Sequence, residues 1–504
     1  MKILSAKQIR ALDAYTIDNE PITSLNLMER ASKTFADWFI EKFPTGHYNI
    51  HIFCGPGNNG GEGLAIARLL YVNGYNTIVH TCEISFKKSA DYLSNLVRLP
   101  KYSDGATPIQ VGDKFPEIKK SDLIIDAIFG SGINRPVDGY WGELISYINE
   151  TPNEIISVDI PSGLFADKLT EGNTIHANYT FSFELPKLAF LFPSNQYRLG
   201  QWEVASINLS QEGLEKLPTN HFFIDKNFVR IFIKRRNKFD HKGTFGHALL
   251  ICGSYGKIGA AILAARAALK SGVGLLSIHA PRCAYTILQT AVPEAMIHVD
   301  EDEFYFSDFL ENDFLEKYKA IGIGCGLNTK SKSVKALSEF LSSKNKPLVL
   351  DADALNIISQ NKNLFDLIPS NSILTPHPKE FERLFGKTEN DMERFELQKG
   401  LSQKHHLFIL LKGANTCITS PDGNAYFNST GNPGMATGGS GDVLTGIITS
   451  LLAQGYNSLE ASTLGAFIHG LSGDIALENF CSEESMIAGD LVEHLGKAFK
   501  EIKK

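Results

Sequence analysis

A chain of 504 residues, 43% hydrophobic and 21% charged, has an ordinary globular composition and is long enough for two or more domains. Its formal net charge of -7 argues against a nucleic-acid partner, but backbone N–H groups can bind small anions without lysine. Seven scattered cysteines without a CxxC pair read as buried thiols of a reducing compartment, and no apolar run is long enough for a membrane span: Arg266 and Lys270 interrupt the nearest candidate, Ala260 to Ala280. Met1 to Ser5 lacks the apolar core of a signal peptide, so a cytoplasmic location is expected, with homo-oligomer formation left open.

Ser5 to Asp18 reads as a capped helix with Ile9, Leu12 and Ile17 on its apolar side. Leu25 to Phe43 reads as a second helix facing inward through Leu27, Met28, Ala31, Phe35, Trp38 and Phe39. Neither carries evident chemistry. Asn49 to Cys54 is a short strand that enters the glycine-rich run GPGNNGGEG, residues 55–63, with a helix expected over Leu64 to Asn73. Gly55, Gly57 and Gly60 satisfy GxGxxG, and Glu83 lies where a dinucleotide fold places its ribose-binding acid. By itself this pattern points to a nicotinamide dehydrogenase. Asn58-Asn59 is unusual for such a turn, because two amide oxygens suit a ligand or a hard cation.

Two further strands end in carboxylates. Leu123 to Asp126 leads into AIFGSGINRP, and Ile155 to Asp159 leads into IPSG. Ligands of an open parallel sheet bind beyond the carboxyl ends of its strands, so Asp126, Asp159 and the Asn58-Asn59 loop are expected to meet there. The alternative for each Asp is a turn or helix cap. Between about Ser210 and Asn237 the strand–loop pattern lapses. The basic run Ile233 to Lys238 reads as an exposed junction, and the domain boundary is placed near residue 224.

Beyond it, strands over His247 to Cys252, Leu275 to His279, Ala320 to Ile323, Pro347 to Leu350, Ser372 to Leu374 and Phe408 to Leu411 alternate with helical patterns, among them Ala260 to Ser271. Many of these strands end in Gly, Asp or His, which spells a second doubly wound α/β domain. Asp422-Gly423 reads as a hairpin turn. No Walker pattern occurs, so phosphate binding falls to Lys412 to Thr416 and to the loop Gly438, Gly439, Ser440, Gly441. That loop closes the run GNPGMATGGSGD, residues 431–442, and feeds a helix whose apolar face is Val443, Leu444, Ile447, Ile448, Leu451 and Leu452, with Gly455 as its capping glycine. Glycines let the backbone approach an anion, and the helix dipole favours it. Asp442, at the mouth, is placed to take a proton from a hydroxyl; the plain alternative is a helix cap. His377, between prolines at a strand end, is either a rigid ligand contact or a structural residue.

GPGNNGGEG, DAIFGSGINRP and VDIPSG together resemble the NAD(P)H-hydrate epimerase family over about residues 1–220. The resemblance implies a Rossmann-like three-layer sandwich. It implies that Asn58, Asn59, Gly60, Gly61 and Glu62 with Gly130, Ser131, Gly132, Ile133, Asn134, Arg135 and Pro136 hold the hydrated nucleotide. It also implies that Asn59, Asp126 and Ser162 bind potassium and that Asp159 is the acid/base. The family usually carries Asp where this chain has Glu62. Over about residues 225–500, GSYGKIGA, GCGLN, DADALN, LTPHPKEFERL, LKGANT and GNPGMATGGSGDVLTGI resemble ADP/ATP-dependent NAD(P)H-hydrate dehydratases, which have a ribokinase-like fold. This implies that Lys412, Gly413, Ala414, Asn415, Thr416 and Gly441 contact the adenine nucleotide, and that Ala260, Gly326, His377 and Asp442 line the hydrate site.

Together the halves, residues 1–224 and 225–504, look like the bifunctional NAD(P)H-hydrate repair family. Its partners would be hydrated NADH or NADPH and ADP or ATP, with magnesium as well as potassium, and its dehydratase would take the S epimer only. Two rivals stand beside this reading. A ribokinase-class small-molecule kinase shares the GxGD loop, and the first half could be a catalytically silent nucleotide-binding module.

Overall fold

A computed structural model describes residues 1–85, 87–99, 105–307, 315–343 and 346–504. Contacts divide the chain into Lys2–Thr219 and a second unit of Asn220–Lys504 with Met1.

The first unit is built on seven parallel strands: β1 (Asn49–Cys54), β2 (Asn76–Cys82), β3 (Ala106–Ile109), β4 (Leu123–Ala127), β5 (Ile155–Val158), β6 (Tyr179–Phe183) and β7 (Gln201–Ala205). Their order is β3-β2-β1-β4-β5-β6-β7, so the direction of winding reverses between β1 and β4. The helices Ala6–Asn19 and Ser24–Lys42 form as the sequence predicts. Ser5 closes a capping box with Gln8, and Phe35 and Phe39 are completely buried.

The expected helix after β1 begins earlier, at Asn58, and runs to Val72. Most of the glycine-rich run is therefore helix. A Cβ on Gly60 would lie 1.7 Å from the Gly55 carbonyl oxygen, and one on Gly63 would lie 2.6 Å from the Ala127 Cβ. These glycines bring the helix against the strand ends, and that packing outweighs the low helix propensity of glycine.

The second unit carries ten strands: β8 (His221–Ile224), β9 (His247–Ile251), β10 (Leu275–Ala280), β11 (Met296–Val299), β12 (Ala320–Ile323), β13 (Leu348–Leu350), β14 (Ile373–Leu374), β15 (Phe408–Leu411), β16 (Cys417–Thr419) and β17 (Ala425–Asn428). Their order is β11-β10-β9-β12-β13-β14-β15-β16-β17-β8, with a second reversal between β9 and β12. Among the described strands, only β16 runs antiparallel to both neighbours. The expected turn at Asp422-Gly423 joins it to β17, with Gly423 at φ +83°.

The helix Ser440–Ala453 ends in the predicted cap: Gly455 has φ +82°, its N–H reaches the Leu452 carbonyl, and the Tyr456 N–H reaches Leu451. A Cβ on Gly446 would sit 2.1 Å from the Ala264 carbonyl oxygen, so this helix packs backbone to backbone on the helix Ile258–Lys270. All seven cysteines are free, and five are buried. Among the described residues, no helix is long and apolar enough to cross a membrane.

Candidate active sites

Both sites lie at the carboxyl ends of the strands flanking a reversal, where parallel sheets bind ligands. The first is a cleft of about 1130 Å³ lined by Asn58, Asn59, Glu62, Gly130–Pro136 and Asp159. Of the residues expected there, Gly60, Gly61, Asp126 and Ser162 do not line it. Gly60 and Gly61 are buried in the helix, where a Cβ on Gly61 would meet the Met28 sulfur at 3.0 Å. Asp126 and Ser162 are completely buried just beneath. The Asp126 carboxylate accepts from Ser157 Oγ (2.8 Å), Ser162 N (2.8 Å), Ser162 Oγ (2.5 Å) and Ile128 N (3.2 Å). Burial still raises its pKa, with those bonds opposing. Asn59 is the reverse case: both its Oδ1 and Nδ2 are buried without a hydrogen-bond partner. Glu83, expected as a ribose-binding acid, is tied to Lys88 at 2.6 Å and does not line the cleft.

Asp159 adopts φ +66°, a left-handed conformation that Asp tolerates better than most residues. Its N–H is fixed on the Phe181 carbonyl at 2.7 Å. Its carboxylate accepts from Lys187 Nζ at 2.5 Å; Lys187 also donates to Ser182 Oγ at 2.5 Å and is almost wholly buried. The first helix also contributes, against the expectation that it carries no chemistry: Arg10 and Asp13 line the cleft. Burial, then the charge of Asp159, pushes Asp13 up to about 6, and the same two causes hold Glu62 well above the ordinary carboxylate range. Nothing local in the sequence marks Asp13 or Lys187. They lie 146 residues before and 28 residues after Asp159, and only the winding of the sheet joins them.

The second site is a hollow of about 430 Å³ lined by Gly256, Lys257, Ala260, Gly326, Ala352, Asp353, Asn356, Glu380 and Asp442, among others. It brings together Ala260, Gly326 and Asp442. His377 does not line it: its Nδ1 accepts from the N–H groups of Lys379 (3.1 Å) and Glu380 (3.3 Å), capping the helix Pro378–Phe385. Asp442 is no cap, since Gly439, at φ +93°, caps the helix and Asp442 is its third residue. A helix N-terminus ordinarily lowers a carboxyl pKa. Here burial, then the neighbouring Asp351, win and push Asp442 up to about 6.

Lys412 donates to Asp351 Oδ1 at 2.9 Å, and a Cβ on Gly441 would stand 3.3 Å from its Nζ. Burial pulls this lysine down, but Asp351 and Glu380 together hold it above its ordinary value. Gly413 and Ala414 are exposed beside it; Asn415 and Thr416 are half-buried, and Thr416 Oγ1 turns back to the Gly413 carbonyl. Gly438 has open space around its α-carbon. Two half-buried residues hold this loop without any sequence signal. His469 bonds the Ser440 carbonyl at 3.0 Å, and Asp474 accepts from Gly431 N and Asn432 Nδ2, both at 2.9 Å.

A Rossmann-like cleft with a carboxylate–lysine pair, in one chain with a GxGD anion loop, defines a two-site α/β enzyme acting on nucleotides. The chain is 35% identical over 98% of its length to the bifunctional NAD(P)H-hydrate repair enzyme Nnr of Moorella thermoacetica, covering 96% of it. It is 32% identical over 97% of its length to that of Escherichia coli K12, covering 92%. It belongs to this bifunctional family, and is an enzyme with NAD(P)H-hydrate epimerase and ADP-dependent NAD(P)H-hydrate dehydratase activities.

Residues 248–497 match the NAD(P)H-hydrate dehydratase family, and residues 24–189 match the YjeF-related protein N-terminus. A ribokinase-like superfamily protein of Enterococcus faecalis shares the fold of the second half, at 27% identity and TM-score 0.51, over 57% of this chain and 99% of that one. The match over both halves of the repair enzymes leaves the kinase and dehydrogenase readings without support.

Proposed function

We propose that the two activities divide between residues 1–224 and 225–504, with β8, at the end of the first span, completing the second sheet. In the first half, Asp159 moves the proton that interconverts the R and S hydrates. The buried lysine at 2.5 Å from it carries this reading, because Lys187 fixes the carboxylate by a charge-assisted bond. Glu62 faces the cleft with its carboxyl raised well above the ordinary range, by burial first and then by the charge of Asp159, which favours its neutral, donating form. Asn58 and Gly130–Pro136 cradle the nucleotide. Asn59, Asp126 and Ser162 offer only hard oxygen donors, and the unpartnered Oδ1 of Asn59 fits a cation such as potassium. That cation would supply fixed positive charge near the substrate phosphates.

In the second half, Asp442 takes the proton of the hydrate hydroxyl. The oxygen attacks the terminal phosphorus of ADP or ATP, brought in as its magnesium complex, and the bond to the remaining nucleotide breaks. N–H groups of Gly438–Gly441 stabilise the transferring phosphoryl, and Lys412–Thr416 hold the nucleotide. Phosphate then leaves the ring carbon with a proton from its neighbour, restoring NADH or NADPH.

The test uses mixed R and S hydrated NADH with potassium, magnesium and ADP or ATP, following near-ultraviolet dihydronicotinamide absorbance. Full recovery is expected with the unaltered chain, and only the S fraction in the fast phase with Asp159→Ala. Full fast recovery in that variant rules out Asp159.

A further inference from the structure

Asp442 is held in a cluster that joins three separate motifs, GCGLN, DADALN and the GxGD loop. Cys325 Sγ, a carboxylate oxygen of Asp351 and one of Asp442 lie within 4.8 Å of one another. Cys325 and Asp351 are only 2% and 1% exposed. The fold forces them together: a Cβ on Gly324 would lie 1.9 Å from the Asp351 carbonyl oxygen, so the ends of β12 and β13 touch at a glycine with φ +131°. Ala352, directly after Asp351, is held at φ +46°, a conformation alanine adopts only under constraint.

Both oxygens of Asp351 are engaged. Oδ1 accepts from Lys412 Nζ at 2.9 Å, and Oδ2 from Thr445 Oγ1 at 2.8 Å. Thr445 stands one turn beyond Asp442 on the same helix, so Asp351 grips the helix that carries the base. The remaining charged or titratable neighbours of Asp442 are Cys252, Asp353, Lys257 and Glu380, with Lys257 paired to Asp353 at 3.0 Å and His377 beside Glu380 at 3.4 Å.

We infer that Asp351 and Cys325 are positioning residues of the dehydratase, acting on the hydrate only through Asp442 and in opposite senses. The Asp351 charge makes Asp442 a stronger base, and the Cys325 thiol donates to it and weakens it. The inference rests on Asp442 being the base. Burial raises the thiol well above its ordinary pKa, so it stays protonated and remains a donor. Asp351, itself buried, repels a second negative charge beside it, and a like charge at this range disfavours ionisation. Lys412 offsets part of that repulsion but stays bound to Asp351.

The experiment is the pH profile of kcat/KM for dehydration of the S hydrate by the full chain, in wild type, Asp351→Asn, Cys325→Ala and Cys325→Ser. Wild type is expected to lose activity below about pH 6. In Asp351→Asn the acid limb moves down by about one pH unit. In Cys325→Ala it moves up, and in Cys325→Ser, which keeps a donor, it returns toward wild type. If Asp351→Asn does not fold, Thr445→Val frees Asp351 without removing its charge and is expected to lower kcat more than it raises KM. Limbs that stay in place in both Asp351→Asn and Cys325→Ala overturn the inference. A near-wild-type rate in Asp442→Ala would instead overturn the base assignment beneath it.

Discussion

Asp442 is kept in a state that costs stability. Its carboxyl is raised from 3.8 to about 6 by burial and by Asp351, so at neutral pH the folded chain carries an anion it would hold more easily unfolded. That gap corresponds to roughly 3 kcal/mol. The sign follows: the cost is absent below pH 3.8, grows between there and about 6, and is complete above. Asp442→Asn is therefore expected to be more stable than wild type at pH 7–8, by up to about 3 kcal/mol, with the gain disappearing near pH 4. Denaturant midpoints across that range check it. The same variant should lose two to four orders of magnitude of dehydratase turnover, about the scale of a missing general base. Asp442 was legible in the sequence because a glycine-rich loop, a helix and a carboxylate are adjacent in it. Asp351 and Cys325, 91 and 117 residues earlier, were not. Their role depends on which strands lie side by side.

The glycines act at the scale of helices. The pattern GPGNNGGEG reads as a phosphate turn, but its second half is the first turn of a helix pressed on β1 and β4. Periodicity could not place that start, because glycine carries no hydrophobic signal and its helix propensity is low. Gly446 is the counterpart in the second unit, where the Ala264 carbonyl leaves no room for a Cβ. Gly446→Ala is expected to lower stability by about 1–3 kcal/mol through overpacking. It should also weaken dehydration, since the displaced helix carries Gly439 and Asp442, while epimerisation stays intact. A denaturant titration with separate assays of the two activities tests both parts. The helix ends were more legible than the starts: the Gly455 cap depends on residues one turn apart and was read correctly.

Across the whole molecule, each sheet reverses its winding once and carries a site at that reversal. The proposed potassium is assigned to the first site only, where the Asn59 side-chain oxygen is buried without a partner. Replacing potassium with a bulky organic cation should slow recovery of the R hydrate and leave the S hydrate unaffected. An equal loss for both would remove the cation from that site.

The sequence by itself determined the alternation of strands and helices, the two α/β halves, the anion loop before Ser440–Ala453 with its Asp442, and the strand-end carboxylates Asp126 and Asp159. All of these are written in local spacing and periodicity. Only the tertiary structure decided that Asp126 is completely buried on Ser157 and Ser162, that His377 caps a helix, and that Lys187 and Asp13 lie near Asp159 while Asp351 and Cys325 lie near Asp442. Strand order and close glycine contacts bring distant residues within a few ångströms, and no local pattern records such a meeting.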